Sequence, residues 1–469
     1  MRVMSRAMEI LPRDGSWRDT RVGVFGLGRS GSAAAELLLS EGCRVTLFDD
    51  RRRDELGEVL ASLGDRVDAF HGGKDAAVAA AVSQLEVLVI SPGVPDSNPV
   101  VQQALQQGVP VFSELELAAR RVEGPLLVVT GTNGKSTTVS LIHHLLCSAG
   151  KSSLLAGNIG TALSAVVNDA TPEVFVVVEA SSFQLEHVEQ LHPDVAVLLN
   201  IAPDHLNRYP DMESYAEAKR RMLQRMDEKD FFVFPRGEVW AEAWSAVCSS
   251  RKLRFQPAPI AAGEDGTGLA EDWLVQRSGG REERILSASA LPLLGHHNLL
   301  NALAALAALI PYRLPVSSLA EGLRSFEGLP HRVQLVGEIA GVRYVNDSKA
   351  TNVHAALAAL SGLSGPFVML LGGQGKGEDY SPLASAMGQV RTAICYGEES
   401  EAIAAALEGA VELKKAPGML QALELAKEIA NRGDTVLLSP ACTSYDEFSS
   451  FVERGEVFSD WVKKKGGRA

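Results

Sequence analysis

The run Val128-Val129-Thr130-Gly131-Thr132-Asn133-Gly134-Lys135-Ser136-Thr137-Thr138 commits the middle of this chain to a strand, a tight turn and a helix. Leu126–Val129 reads as the strand and Val139–Leu146 as the helix. In that order the glycines let backbone N–H groups approach an anion. The helix N-terminus adds partial positive charge and Lys135 a full one. A hydroxyl, from Ser136 or from Thr137 if the register shifts, is placed to ligate Mg²⁺. The usual phosphate loop would have its first glycine where Val129 stands, so this is a shortened version. The plain alternative is a glycine-rich turn with a surface lysine.

Composition narrows the class. A chain of 469 residues is too long for one core and predicts about three domains. Apolar residues make up 46%, which excludes global disorder. A net charge of −13 argues against a nucleic-acid partner and leaves any anionic ligand to local cations and N–H groups. The cysteines (Cys43, Cys147, Cys248, Cys395, Cys442) are scattered and form no C-x-x-C pair. They read as reduced thiols of a cytosolic protein, not as a zinc site or disulfide frame. Met1–Asp19 lacks an apolar core, so no signal peptide is expected, and the run Leu299–Ile310 is too short to cross a membrane. The expected location is cytoplasmic.

The chain alternates strands and helices. Arg21–Phe25, Arg44–Phe48 and Val87–Ile90 read as strands, with Ser30–Ser40 a helix between the first two. After the phosphate loop come strands at Val174–Val178, Val195–Leu199 and Phe231–Phe234, a polar hairpin or loop over Ala261–Glu283, and a helix over Asn298–Leu309. Gly328-Leu329-Pro330 reads as a hinge before strands at Val342–Val345, Phe367–Leu371, Ala393–Tyr396 and Thr435–Leu438. The prediction is α/β with three domains: a Rossmann-like domain over 1–122, a phosphate-loop ATPase domain with a mostly parallel sheet over 123–329, and a Rossmann-like C-terminal domain over 330–469.

A second glycine loop, Gly26-Leu27-Gly28-Arg29-Ser30-Gly31, lies between a strand and a helix, and Asp49 ends the next strand. Alone, it predicts a dinucleotide site and an NAD-dependent oxidoreductase, or merely tight strand–helix packing. Two nucleotide loops in separate domains fit an ATP-driven enzyme acting on a nucleotide-linked substrate better.

Thr130-Gly131-Thr132-Asn133-Gly134-Lys135-Ser136-Thr137 resembles the ATP loop of the Mur ligases, the amino-acid-adding enzymes of peptidoglycan synthesis. Further segments resemble that family in order: Glu179-Ala180-Ser181-Ser182-Phe183-Gln184-Leu185, Asn200-Ile201-Ala202-Pro203-Asp204-His205-Leu206, Tyr215-x-x-Ala218-Lys219, His297-Asn298-x-x-Asn301-Ala302, Leu329-Pro330-His331-Arg332 and Asn346-Asp347-Ser348-Lys349-Ala350-Thr351-Asn352. Within the family the Rossmann-like first domain, the Thr-Asn-Gly-Lys-Ser loop and the stretch Leu437–Phe448 resemble the D-glutamate-adding branch.

The resemblance implies that ATP phosphorylates the carboxylate of UDP-N-acetylmuramoyl-L-alanine and that the amine of D-glutamate attacks the acyl phosphate. Gly131, Thr132, Asn133, Gly134, Lys135, Ser136 and Thr137 would cradle ATP. Asn298 and Asn301 would contact its adenine, Arg332 a phosphate and Asp347 the ribose. Lys135, Glu179, His205 and Lys219 would be catalytic. Ser136, Glu179, His205 and a carbamylated Lys219 would hold Mg²⁺ in two sites. Gly26, Gly28, Ser30, Gly31 and Asp49 would hold the uridine diphosphate, Asp49 accepting from the uracil N3–H. Ser91 and Gly93 would line the diphosphate path, and Asn158 and Ser181 would touch the substrate. Lys349, Thr351, Lys376, Ser444 and Phe451 would form the D-glutamate pocket. Gln374-Gly375 stand where an acidic residue is expected before Lys376.

Read without the resemblance, Glu179 is a solvated strand end, His205 a loop histidine and Lys219 a solvated helix lysine. Asn298 and Asn301 are then helix caps, and the charge run 50–53 is a solvated loop. The resemblance also implies a monomer whose third domain closes on binding. Competing readings are another amino-acid ligase of the family, a folylpolyglutamate synthetase, the oxidoreductase and a non-catalytic nucleotide sensor.

Overall fold

The computed structural model describes residues 17–72, 78–205 and 208–466. Most of the stretch Met1–Asp19, and Leu206, therefore lie outside the described residues. The described residues form three sheets.

The first sheet holds β1 (Arg21–Phe25), β2 (Arg44–Asp49), β3 (Ala69–Gly72), β4 (Val87–Ile90) and β5 (Val111–Ser113). Its order is β3-β2-β1-β4-β5, and every pairing is parallel. Val22 and Val24 of β1 enter one apolar cluster and Phe25 another, so the sheet is covered on both faces. The strand order reverses between β1 and β4, which opens a crevice at their carboxyl ends.

The second sheet is built from β6 (Leu126–Thr130), β7 (Ser153–Gly157), β8 (Phe175–Glu179), β9 (Val195–Leu198), β10 (Phe231–Pro235), β11 (Arg251–Phe255), β12 (Gly266–Ala270), β13 (Trp273–Ser278) and β14 (Arg281–Ser287). The order is β14-β13-β12-β11-β10-β9-β6-β8-β7. It is parallel from β7 to β12, and β13 pairs antiparallel to β12. Here β6 is the reversal point, flanked by β8 and β9, and the phosphate loop leaves its end.

The third sheet holds β15 (Gln334–Ile339), β16 (Val342–Asn346), β17 (Phe367–Gly372), β18 (Val390–Tyr396), β19 (Glu412–Lys415) and β20 (Thr435–Leu438), in the order β15-β16-β20-β17-β18-β19. Only β15 runs antiparallel.

One sequence reading changes, and for the stretch Ala261–Glu283 the hairpin alternative holds over the loop. The helix after the phosphate loop spans Lys135–Ser148, four residues earlier than its apolar run begins. Gly134, at φ 88°, caps it, and burial of Thr137 and Thr138 outweighs their modest helix propensity. The polar stretch Ala261–Glu283 is mostly strand. It contains β12, β13 and the start of β14, and Gly279-Gly280, both at positive φ, turn the last hairpin.

The chain packs as two compact units. The first contains the described residues to Ile201, with His205–Ile285 and Leu303–Gly322, and it holds the first two sheets but for the last two residues of β14. A single apolar cluster runs through both, from Val22 of β1 to Phe232 of β10. The second unit contains Ala202–Asp204, Leu286–Ala302 and the chain from Leu323 onward. Its sheet has one apolar cluster on each face, centred on Phe367 and on Val368.

Candidate active site

The turn after β6 is shaped by what surrounds it. Gly131 takes φ 152°, and a Cβ on it would lie 3.0 Å from the Leu199 Cβ. The loop is pinned from the neighbouring strand end: Thr132 N donates to the Asn200 carbonyl (3.0 Å), Asn133 N donates to Asn200 Oδ1 (2.9 Å), and Asn200 Nδ2 returns to the Asn133 carbonyl (3.0 Å). Lys135 Nζ lies across the loop, donating to the carbonyls of Gly131 and Thr132, both at 2.7 Å. Ser136 and Thr137 are buried in the first helical turn.

Lys219 sits on the helix Met212–Arg220, whose N-cap Asp211 accepts from Ser214 N. The side chain is 1% exposed. It lies over the Tyr215 ring, 4.5 Å from the centroid, and its Nζ donates to the Gly131 carbonyl at 3.0 Å. One carbonyl oxygen therefore receives both Lys135 and Lys219. Two ammonium charges that close repel. The solvated-face reading of Lys219 is thereby excluded.

Glu179 ends β8 directly opposite Val129 of β6. It is 2% exposed. Oε1 accepts from Asn158 Nδ2 at 2.8 Å, while Oε2 is buried with no hydrogen-bond partner among the described residues. An orphaned carboxylate oxygen is costly, and a hard cation would satisfy it. The strand-end acid is therefore not a solvated one. Asn158 is set by Gly157 at φ 103°, where a Cβ would lie 2.3 Å from the Glu179 carbonyl oxygen. His205 takes φ 55°, and its carbonyl accepts from the backbone N–H of both Arg208 and Tyr209. That strained conformation is held by the residues that follow. The carboxylate oxygen and the loop hydroxyls are hard oxygen donors that fit Mg²⁺, and the His205 imidazole is the one softer donor beside them. Ser181 is an N-cap, bonded to Gln184 in a capping box, so its hydroxyl is already engaged.

At the first sheet, Ser91 Oγ donates to the Gly26 carbonyl at 2.6 Å, joining the two strands that flank the crevice. Gly31 must be glycine, because a Cβ there would lie 2.0 Å from the same carbonyl oxygen. Gly28 and Gly93 face open space. Ser30 lies in the first turn of the helix Arg29–Ser40, and Arg29 Nη1 donates to the Gly160 carbonyl at 3.0 Å. Asp49 is buried, which raises a carboxyl pKa. Hydrogen bonds from Arg51 and from Leu27 N overcome this and hold it below the usual carboxylate range. Asp49 Oδ2 accepts from Leu27 N and Arg51 Nη2, and Oδ1 from Arg51 N and Nε. These donors use the carboxylate's lone-pair sites. An uracil N3–H would have to displace one of them. Arg51 is thus paired with Asp49 at the site, while it and the rest of run 50–53 stay exposed, as the solvated-loop reading has it.

In the second unit, Asn301 Nδ2 donates to Asn298 Oδ1 at 3.1 Å, and Asn298 Nδ2 to the Leu294 carbonyl at 2.7 Å. Asp347 follows β16 and accepts from Ser439 Oγ (2.8 Å) and Val333 N (3.2 Å). Burial pushes its pKa up to about 7. Arg332 sits between His331 and Val333, both at positive φ. Lys349 Nζ lies 3.9 Å from the Phe451 ring centroid, and Thr351 N donates to the Lys349 carbonyl. Ser444 is buried and opens a turn whose Glu447 and Phe448 N–H groups return to its carbonyl. Lys376 lies in the loop after β17. Gly375 before it packs on Glu399, for an added Cβ there would lie 2.4 Å from Glu399 Oε1.

The sequence reading missed Arg454. It is fully buried, and its donors hold the Ser348, Cys442 and Thr443 carbonyls and the Ser348 hydroxyl. It thereby fixes the loops that carry Lys349 and Ser444. A cation inside an otherwise ordinary amphipathic helix gives no sequence signal of this.

Three family profiles match the chain in order: a MurD-like Mur ligase N-terminal domain over residues 20–113, the Mur ligase middle domain over 129–309, and the Mur ligase glutamate ligase domain over 331–442. The UDP-N-acetylmuramoylalanine--D-glutamate ligase of Syntrophotalea carbinolica is 39% identical over 447 residues, covering 95% of this chain and 97% of that protein. The protein of the same name from Anaeromyxobacter dehalogenans is 41% identical over 453 residues, covering 94% and 97%. Among solved structures, a pseudomurein peptide ligase type C from Methanothermus fervidus aligns with a TM-score of 0.59 at 18% identity, covering 94% of this chain and 100% of that one. At that identity the likeness is one of fold.

Proposed function

This chain belongs to the Mur ligase family of ATP-dependent amide ligases, and on that premise we propose that it joins D-glutamate to UDP-N-acetylmuramoyl-L-alanine in peptidoglycan precursor synthesis. The observation that carries the reading is the meeting of Lys135 and Lys219 at the Gly131 carbonyl, with the orphaned oxygen of Glu179 at the end of the next strand. Family membership removes the dehydrogenase reading of the first glycine loop.

When bound, ATP with Mg²⁺ supplies a transferable phosphoryl group and charge neutralisation. The γ-phosphoryl would pass to a carboxylate oxygen of the L-alanyl group as its bond to the β-phosphate oxygen breaks and ADP leaves. The amine of D-glutamate attacks the carbonyl carbon, and the C–O bond to phosphate breaks with loss of the amine proton. Catalysis of this kind is mostly positioning and electrostatics. Lys135 exchanges its two loop carbonyls for phosphate oxygens. Glu179, His205, Ser136 and Lys219 as carbamate would hold Mg²⁺, in two sites. A carbamate at Lys219 also turns repulsion by Lys135 into attraction. Asn158 orients Glu179. Gly26, Gly28, Ser30, Gly31, Ser91 and Gly93 would take the uridine diphosphate, with Asp49 and Arg51 at its base end. Asn298, Asn301, Arg332 and Asp347 would serve the nucleotide. Lys349, Thr351, Lys376, Ser444 and Phe451 would serve D-glutamate. The domain limits 1–122, 123–329 and 330–469, a cytoplasmic location and a monomer belong to the same reading. Among the described residues no helix is long and apolar enough to cross a membrane.

A folylpolyglutamate synthetase would share the ATP loop but has no use for the first sheet and its crevice. The deciding assay is phosphate release from ATP with UDP-N-acetylmuramoyl-L-alanine, with and without D-glutamate. Release that does not depend on D-glutamate would reject the proposal.

A further inference from the structure

Arg208 follows His205 by three residues and has no role in the reading above. Its Nη2 donates to Glu186 Oε2 at 2.6 Å and to the Val94 carbonyl at 3.3 Å. Its guanidinium lies 4.2 Å from the centroid of the Phe183 ring. The Phe183 ring in turn meets the His205 ring edge-to-face, 4.8 Å between centroids. The backbone N–H of Arg208 donates to the His205 carbonyl at 2.9 Å, helping to hold that residue at positive φ. Glu186 is fixed from its other side, for its Oε1 accepts from the Tyr209 hydroxyl and its backbone carbonyl from Arg221. The side chains of Arg208 and Glu186 are 18% and 15% exposed, so the pair is substantially screened from water.

Val94 belongs to the loop after β4 that carries Ser91 and Gly93. That loop has a second tie to the same segment, from Asp96 to His187 Nε2 at 2.7 Å. One planar side chain thus touches the sugar-nucleotide loop, the segment after Glu179 and, through one ring, His205. A guanidinium can do this because it forks between two acceptors while stacking on an aromatic face, and an ammonium cannot do both.

We propose that Arg208 is a positioning residue that couples the loop Ser91–Asp96 to the metal-binding segment around His205, so that filling either site tightens the other. The proposal rests on the ligase reading. Coupling of this type is reciprocal and commonly reaches about fivefold or more in affinity.

The test is calorimetric titration of UDP-N-acetylmuramoyl-L-alanine into the full chain, without nucleotide and with Mg²⁺ plus a non-hydrolysable ATP analogue. For the unaltered protein the expected tightening is about fivefold or more. For Arg208→Ala the expected ratio falls to within about twofold of unity, while D-glutamate binding alone stays unchanged. Arg208→Lys and Glu186→Gln should each give intermediate ratios, and they carry the test if the alanine variant does not fold. A ratio in Arg208→Ala, or in both milder variants, equal to that of the unaltered protein overturns the proposal. So does the absence of any tightening in the unaltered protein. D-glutamate-dependent phosphate release by the same preparation separates the two levels: its absence sinks the ligase reading, whereas its presence with unchanged ratios sinks only the coupling.

Discussion

At Lys219 the physical question is how a primary amine is accommodated with 1% exposure, against a tyrosine ring and on a carbonyl already bonded to Lys135. The proposed carbamate would answer it, because an anion there would be attracted by Lys135 and could ligate a hard cation. Lys219→Ala should therefore lower ligase turnover by about 100-fold or more, the scale of removing an electrostatic group from a reacting centre. Acetate or formate should restore part of it, since either can occupy the space and charge of the carbamate. Full activity of the alanine variant would remove the role. Asp347 makes a different prediction. Its folded pKa, about 7, lies above its ordinary value of 3.8. The folded protein thus holds that proton more tightly than the unfolded chain. The resulting stability is complete below the unfolded pKa and is lost as pH rises through about 7. Asp347→Asn should flatten the profile of denaturant midpoint against pH between 5 and 8, gaining about 1–4 kcal/mol on the unaltered protein at the alkaline end. Parallel profiles would show that burial does not act on this carboxyl as described. Such residue-scale facts were the least legible in the sequence. Glu179 ends an apolar strand and Lys135 follows the glycine turn after another, which marks them. The burial of Lys219 and Arg454 depends on partners brought from distant parts of the chain, Gly131 and Ser348, which no local pattern encodes.

At the scale of elements the sequence was more open. The strands Arg21–Phe25, Val87–Ile90 and Thr435–Leu438 were readable to the residue, because each is a short β-branched or aromatic run closed by polar or glycine residues. The helix from Lys135 was read late, because its first turn is polar and its identity is set by Gly134 and by burial rather than by apolar spacing. The strands β12 and β13 were readable only as a hairpin or loop, since two of the five residues of β12 are glycine and β13 ends in polar residues. Where a glycine does steric work the prediction is sharp. The helix Arg29–Ser40 packs against the end of β1 only because Gly31 leaves room for the Gly26 carbonyl, and an added Cβ would meet that oxygen at 2.0 Å. Gly31→Ala should cost about 1–3 kcal/mol, the usual range for overpacking. It should also raise KM for UDP-N-acetylmuramoyl-L-alanine by about tenfold, because the loop's N–H groups move with the helix. KM for ATP and D-glutamate should stay within about twofold, as both are assigned to other sheets. A uniform fall in turnover with all three KM values unchanged would mean that the loop does not hold the sugar nucleotide.

At the scale of the whole molecule, each of the three sheets presents its assigned residues at the carboxyl ends of parallel strands, beside the point where strand order reverses. Gly26 and Ser91 follow β1 and β4 in the first. Gly131 and Glu179 stand at the ends of β6 and β8 in the second. Asp347 follows β16, and Lys376 and Ser444 lie in the loops after β17 and β20, in the third. The same topological rule has been used three times, once for each chemical component of the proposed reaction. That division predicts a pattern of protection in amide hydrogen exchange. The sugar nucleotide alone should slow exchange at 26–31 and 91–93 and leave the second unit unaffected. D-glutamate alone should slow it near 349–351 and 444–451 and leave the first unit unaffected. A non-hydrolysable ATP analogue with Mg²⁺ should slow exchange at the residues assigned to it, 131–137, 298–301 and 347. Protection confined to 131–137 would remove Asn298, Asn301 and Asp347 from the nucleotide site while leaving the phosphate loop in place. Protection of 26–31 by the ATP analogue instead of the sugar nucleotide would exchange the roles of the two glycine loops, and with them the assignment of substrates to sheets.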